Sequence, residues 1–304
     1  MGRRYDTSMF VNRVRELDTL ERWWSAPGGQ IALVWGRRRV GKTALLNAFA
    51  AGRRAIFHTG AGRPPHDELV LLSRAAAPML VGRARDVDER PFADWGDALQ
   101  TLAEAATEEP LLLVIDELPE ILRVSPELPS VMRALWDRLR ERTQLHLLLC
   151  GSAVRTMRAL DEERLPLYGR IDLTLPVHPF APHESAMMLR RISPAQRALV
   201  WGLLGGVPLY LTWWDEQESV RANLSRLVCE PGGRLLEEGR LVLATEADTG
   251  DLTRLVLRAV AAGRSKHHEI EQSIKADPTR TLERLVELRD RFRVFPVLRQ
   301  QFSP

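Results

Sequence analysis

Gly36-Arg37-Arg38-Arg39-Val40-Gly41-Lys42-Thr43 is the stretch on which the reading of this chain turns. It fits G-x-x-x-x-G-K-[ST]. In that pattern glycines let backbone N–H groups turn inward around phosphates, a lysine neutralises the β- and γ-phosphates, and a hydroxyl ligates Mg2+. The flanks agree. Gln30 to Trp35 is a short apolar run that predicts a buried strand, and Lys42 to Ala50 predicts a helix whose positive end adds to the cradle. Upstream, residues 10–24 predict a helix with Val14, Leu17, Leu20 and Trp24 on one face, stopped at Pro27-Gly28-Gly29.

Working outward, Leu111-Leu112-Leu113-Val114-Ile115-Asp116-Glu117 is a second apolar run, of the kind found in fully buried parallel strands, and it ends in two acids. Carboxylates at the end of such a strand point into the crevice at the sheet's carboxyl edge. Asp116 is expected to hold Mg2+ through water and Glu117 to polarise the attacking water as general base. The plainer alternative is that these acids cap the next helix or face solvent. Cys150-Gly151-Ser152 follows a third run, Leu145 to Cys150. Ser152 either touches a γ-phosphate or its attacking water, or caps a helix predicted over 152–160. Leu167-Tyr168-Gly169-Arg170 precedes a last strand over Ile171 to Leu175. Arg170 either offsets transition-state charge or is a surface arginine.

Between these runs, Arg54 to His58 predicts a strand, Gly60 to Pro65 a turn, and 66–80, 92–106 and Pro126 to Arg142 helices. Strands alternating with helices argue for a doubly wound α/β layer. Prolines at 176, 179 and 182 mark a boundary. Residues 183–229 then read as helices only, interrupted at Gly205-Gly206-Val207-Pro208, and a second break falls at Pro231-Gly232-Gly233. The tail reads helix, helix, helix, strand over Leu252–Ala262, Lys266–Ile274, Pro278–Asp290 and Phe292–Val297, the order of a winged helix. The expected division is 1–178 as core, 179–232 as helical lid and 233–304 as winged helix.

Composition narrows the class. The 304 residues are 45% hydrophobic and 27% charged, ordinary for a globular protein. No apolar run approaches a membrane span, and the basic, polar Met1 to Asp6 is followed by no apolar stretch of a secretory signal. Two cysteines, Cys150 and Cys229, make neither a disulfide framework nor a metal cluster, so a cytoplasmic setting is the expectation. All but three of the 43 basic residues are arginine, which sets Lys42 apart. His58 and His267-His268 lack partner cysteines at metal spacing and read as surface or packing residues. Trp23-Trp24 and Trp213-Trp214 read as core or interface anchors.

Taken together, Phe10-x-x-Arg13-x-x-Glu16-Leu17, Trp35 through Thr43, Ile115-Asp116-Glu117-Leu118-Pro119, Gly151-Ser152 and Leu167-Tyr168-Gly169-Arg170 resemble the archaeal-type ATPase family, in the AAA+/STAND branch of P-loop ATPases. Gly206-Val207-Pro208-Leu209 resembles the Gly-x-Pro motif of STAND lids, and Leu255 to Val297 resembles the winged helix that follows. The resemblance implies an α/β P-loop NTPase of the ASCE/AAA+-like class, a parallel sheet with the Ser152 strand between those of the two phosphate-site motifs. It implies ATP or ADP with Mg2+ as ligands, cradled by Gly36, Arg37, Arg38, Arg39, Val40, Gly41, Lys42, Thr43 and Ala44. Arg13 and Glu16 would stand beside the adenine, with Pro208 near it. Ser152 would be sensor 1 and Arg170 an arginine-finger candidate, acting on its own nucleotide or on that of a neighbour in a homo-oligomer. Many family members continue into a further, often nuclease-like domain; the sequence ends at Pro304, and nuclease activity is not expected of it.

Three functions fit these residues: a regulatory or remodelling ATPase, a slowly hydrolysing switch locked by ADP and acting on an unknown protein partner, and a DNA-binding ATPase. For the last, Arg264, Lys266, His267, His268, Arg280 and Arg284 would meet phosphates, while Glu269, Glu271, Glu283 and Glu287 dilute that charge. No Asn-Lys-x-Asp guanine signature is present, and a small-molecule kinase would not need Glu117 beside Asp116.

Overall fold

A computed structural model describes residues 11–81, 86–245, 251–286 and 288. Chain contacts divide it into Met1–Glu216 and Gln217–Pro304. The first unit is built on five parallel strands: β1 (Gln30–Trp35), β2 (Ala55–Thr59), β3 (Leu111–Asp116), β4 (Leu145–Gly151) and β5 (Leu173–Pro176). Their order is β2-β3-β4-β1-β5, so β4 lies between β1 and β3, as the resemblance implied. Val34 stands beside Cys150, and Thr59 beside Asp116.

Successive strand side chains point to opposite faces, and here both faces are apolar. Ile31, Leu33, Leu111, Leu113, Ile115, Leu147 and Leu149 enter one core. There they meet α3 (Pro65–Ala76), α4 (Trp95–Ala105) and α6 (Leu128–Leu139) through Leu72, Leu99, Leu102, Met132 and Trp136. Ala32, Val34, Leu112, Val114, Leu148 and Cys150 enter the other, against Leu20 and Trp23 of α1 (Val14–Trp24) and Leu45, Leu46 and Phe49 of α2 (Lys42–Ala50). Covering both faces is what makes continuous apolar runs stable as central parallel strands. Trp23 and Trp24 sit against Phe49 and His146 as core anchors.

Several boundaries differ from expectation. β2 runs one residue later than expected, and β5 begins at Leu173 because Asp172 is spent closing the start of β1: its N–H donates to the Ile31 carbonyl and its Oδ2 accepts from the Ile31 N–H, both at 2.8 Å. A short helix, α5 (Leu118–Val124), follows Glu117 directly, with proline at its second position where the missing N–H costs nothing. α7 (Val154–Ala159) begins two residues after Ser152 and is preceded by Ala153, without a side-chain cap. After β5 come α8 (Pro182–Ser185), α9 (Pro194–Leu204) and α10 (Pro208–Thr212). Each has proline in its first turn, and α9 has a Ser193–Gln196 capping box.

The second unit is helical where described: α11 (Val220–Leu224) running into a π-helical turn at Ser225–Cys229, α12 (Arg234–Thr245), which the sequence reading did not anticipate, then α13 (Asp251–Ala261), α14 (His267–Ile274) and α15 (Pro278–Val286). Val256, Ala259, Ile270 and Leu288 form its small core. These last three helices follow the helical order expected of a winged helix; the strand expected over 292–297 lies outside the described residues, as does Phe10.

Candidate phosphate and nucleotide site

Parallel strands deliver their carboxyl ends to one edge, and β1, β3 and β4 each end there in a singled-out residue. After β1, Gly36 passes under the segment that follows β5. A Cβ at Gly36 would collide with the Val177 carbonyl oxygen, and the Val177 N–H donates to the Trp35 carbonyl at 2.7 Å. Any side chain there would push the loop off the sheet. Arg39 and Gly41 take positive φ, 69° and 90°, which turns the loop back on itself before α2.

Lys42 is buried, with Nζ donating to the carbonyls of Gly36 at 2.8 Å and Arg37 at 3.0 Å. Its ammonium thus stands inside the loop. One residue on, Thr43 Oγ1 donates to Asp116 Oδ2 at 2.6 Å. Asp116 is 2% exposed, and its Oδ1 accepts the Glu117 N–H at 3.0 Å. Glu117 itself has φ 52°, in the left-handed region. Non-glycine residues there carry a conformational cost that surrounding structure must offset, and such residues gather at functional sites. Its Oε2 accepts from Ser152 Oγ at 2.9 Å and from Ser152 N at 3.2 Å. Ser152 is therefore engaged with Glu117, and the reading of it as a helix cap is corrected: α7 starts too late for its side chain to reach the first-turn N–H groups. Burial, and after it the Asp116 carboxylate, push the Cys150 thiol well above its ordinary range, so this cysteine is a packing group.

Arg13 is 3% exposed and has φ 69°. Its Nη2 donates to the carbonyls of Val40 and His178, each at 2.7 Å, and its Nη1 to Glu16 at 2.7 Å. Its guanidinium lies 4.5 Å from the Phe180 ring centroid. One side chain thus ties the phosphate loop to the segment after β5. A cavity of ≈ 960 Å3 opens over these groups. Its wall includes Arg13, Arg38, Arg39, Val40, Gly41, Lys42, Thr43, Ala44 and Glu117, together with Phe180, Met188, Pro208 and Leu209. That volume suits a nucleotide-sized ligand. Sequence reasoning missed Phe180, Met188 and Asn47 in the wall. Asn47, four residues after Thr43, was readable as sharing its helix face; the other two come from irregular segments with no periodic signal.

Arg170 is not part of this assembly. It precedes β5 and so lies at the amino edge of the sheet, where Nε and Nη2 grip Asp137 at 2.7 and 2.8 Å. Asp172, two residues on, pairs with Ile31, five strand residues before Gly36, which puts Arg170 on the order of 16 Å from the site. The hydrogen bond from Arg170 holds the Asp137 carboxyl below its usual range. His58, expected as a surface or packing residue, is buried and paired with Glu68 at 3.0 Å. Glu68 lay on a predicted helix with nothing to mark it, and a histidine ten residues upstream was the only clue.

The parallel sheet, its strand order and the glycine-rich loop with Lys42 inside define a P-loop ATPase of the AAA+-like type. The sequence profile of an ATPase domain found predominantly in Archaea matches residues 10–213, two thirds of the chain, and the chain belongs to that family. An uncharacterized protein of Methanocaldococcus jannaschii is 23% identical over 289 residues, 92% of this chain and 61% of its own length, so the chain spans about three fifths of that relative. An uncharacterized ATP-binding protein of the same organism is 44% identical over 50 residues, 16% of this chain and 85% of its own length. The Walker-type ATPase of Pyrococcus abyssi superposes with a TM-score of 0.70 at 20% identity, over 93% of this chain and 92% of that one, which shows the shared fold. Among the described residues, no helix is long and apolar enough to cross a membrane.

Proposed function

We propose that the chain hydrolyses ATP with Mg2+ and uses the hydrolysis as a switch that moves the helices following β5. The observation that carries this is the 2.6 Å contact between Thr43 Oγ1 and Asp116 Oδ2, with Lys42 beside it and Glu117 next in the chain. Mg2+ prefers hard oxygen ligands and is held by one or two protein groups together with substrate phosphates. A hydroxyl and a buried carboxylate already within bonding distance of one another fit that ion. When bound, it offsets charge on the β- and γ-phosphate oxygens.

In this reading the loop N–H groups and Lys42 hold the phosphates. Water adds to the γ-phosphorus, the bond from that phosphorus to the bridging oxygen of ADP breaks, and the water proton passes to Glu117 Oε1. Oε2 is occupied by Ser152, so Ser152 acts by orienting the base. Phe180, Met188, Pro208 and Leu209 offer an apolar wall for the base of the nucleotide, with Arg13 bracing it. Because α10 contributes to the same cavity as the phosphate loop, loss of the γ-phosphate is felt by the lid; this supports a switch or remodeller. Arg170 would serve a γ-phosphate only in a neighbouring copy. The double hold of Ser152 on Glu117 also favours slow turnover, because it restrains the base. Glu117→Gln is expected to lower turnover by about 10²–10⁴-fold while ATP still binds; turnover at the wild-type rate would overturn the assignment.

A further inference from the structure

A histidine and a carboxylate are buried together behind the site, and the chemistry above makes no use of them. His58 Nε2 on β2 meets Glu68 Oε2, in the first turn of α3, at 3.0 Å; they are 4% and 0% exposed. Withdrawing two ionisable groups from water is costly, and apolar residues of similar size commonly serve as well or better for stability alone.

What Glu68 holds gives the pair a purpose. Its other oxygen, Oε1, accepts the backbone N–H groups of Ala61 and Arg63, both at 3.0 Å. It therefore pins the loop between β2 and α3. The near end of that loop rests on the acid pair: the Gly60 N–H donates to the Asp116 carbonyl at 2.8 Å. A Cβ at Gly60 would lie 2.8 Å from the Glu117 carbonyl oxygen and 2.7 Å from Ile121 Cγ1. The loop thus presses on the peptide unit that carries Glu117 in its left-handed conformation, and Gly60 is what lets it approach so closely.

We infer that His58 and Glu68 are positioning residues: they lock residues 60–63 against the Asp116-Glu117 backbone and so fix where the Glu117 carboxylate points. This rests on Glu117 being the base proposed above. Burial lowers the His58 pKa, opposed by Glu68 and reinforced by Arg63.

The test is steady-state ATP hydrolysis by Glu68→Ala, Glu68→Gln and Ala61→Gly, each also measured in a Glu117→Gln background, with thermal midpoints alongside. The inference predicts that Glu68→Ala lowers kcat roughly tenfold or more with KM within about threefold. Glu68→Gln, which still offers an oxygen to both N–H groups, should recover to within about threefold of wild type. In the Glu117→Gln background Glu68→Ala should change residual turnover by less than about twofold, since it acts through the group already removed. Ala61→Gly, which loosens the exposed loop and leaves the buried pair intact, should lower kcat two- to fivefold, an order-of-magnitude expectation that holds even if Glu68→Ala does not fold. Wild-type kcat in folded Glu68→Ala, equal losses in both backgrounds, or, where Glu68→Ala does not fold, an unaffected Ala61→Gly would overturn the inference. Full turnover in Glu117→Gln alone would instead sink the base assignment, and the two failures are told apart by that single variant.

Discussion

The two edges of the sheet use charged side chains in opposite ways. At the carboxyl edge, Lys42 and Asp116 are nearly sealed from water and are held by the Gly36 and Arg37 carbonyls and the Thr43 hydroxyl. At the amino edge, Arg170 with Asp137 and Arg140 with Asp172 make ion pairs at or near the surface. Exposed pairs of that kind contribute little, because solvent screens them and long side chains lose freedom in making them. Buried charges are costly unless every one is matched. The contrast shows where this fold has a reason to bury charge, and that is where three strands end together.

Substitutions at the two edges should therefore differ sharply. The largest effect is expected at Asp116→Asn or Thr43→Ala, with turnover down about 10²–10³-fold at fixed Mg2+ and the Mg2+ concentration for half-maximal rate raised roughly tenfold or more. Arg13→Ala comes next. It removes the hydrogen bonds that Arg13 donates to the Val40 and His178 carbonyls and its ion pair with Glu16, for a loss of about 3 kcal/mol in denaturant unfolding and weaker ATP binding. An unchanged unfolding midpoint would show that the brace is dispensable.

The effect of pH should be smaller. Burial lowers the pKa of both His58 and His146, opposed at His58 by Glu68 and at His146 chiefly by hydrogen bonding to the backbone of Gln144, Trp24 and Ala26. The unfolded chain then takes up protons before the folded one does. This part of the stability is present above the ordinary histidine value of 6.5 and is lost as pH falls from there through the folded values. The thermal midpoint should fall between pH 7.5 and 5.5, and less steeply in His146→Phe. The smallest effect is expected at the amino edge. Arg170→Ala should leave turnover of dilute chain within about twofold of wild type. A loss that appears only at concentrations where copies associate would assign Arg170 to a neighbour's site.

The same contrast explains what the sequence disclosed. Residues 36–43 and the strands ending at Asp116 and Gly151 were legible because their signals are local: a fixed spacing, or an unbroken apolar run that only a doubly covered strand tolerates. The convergence of Lys42, Thr43, Asp116 and Ser152 followed once the strands were parallel, since that arrangement puts their carboxyl ends on one edge. Arg170 was legible as a residue and misleading as a neighbour, because preceding a parallel strand places it at the other edge. Contacts between distant segments had no local signature. Arg13 reaching His178, Glu68 reaching back over 60–63 and Ser152 turning to Glu117 instead of its own helix all depend on tertiary packing. α5 was hidden because Leu118–Val124 is only seven residues long, too short for a helical period to stand out.

The account stands on the loop at 36–43 holding a polyphosphate around Lys42. Titration of wild-type chain and Lys42→Ala with ATP and Mg2+, following heat or fluorescence, tests this most directly. Wild type should bind and the variant should bind about 100-fold more weakly or not at all, as expected when the partner of a desolvated charge is removed. Equal affinity in the two proteins would contradict it.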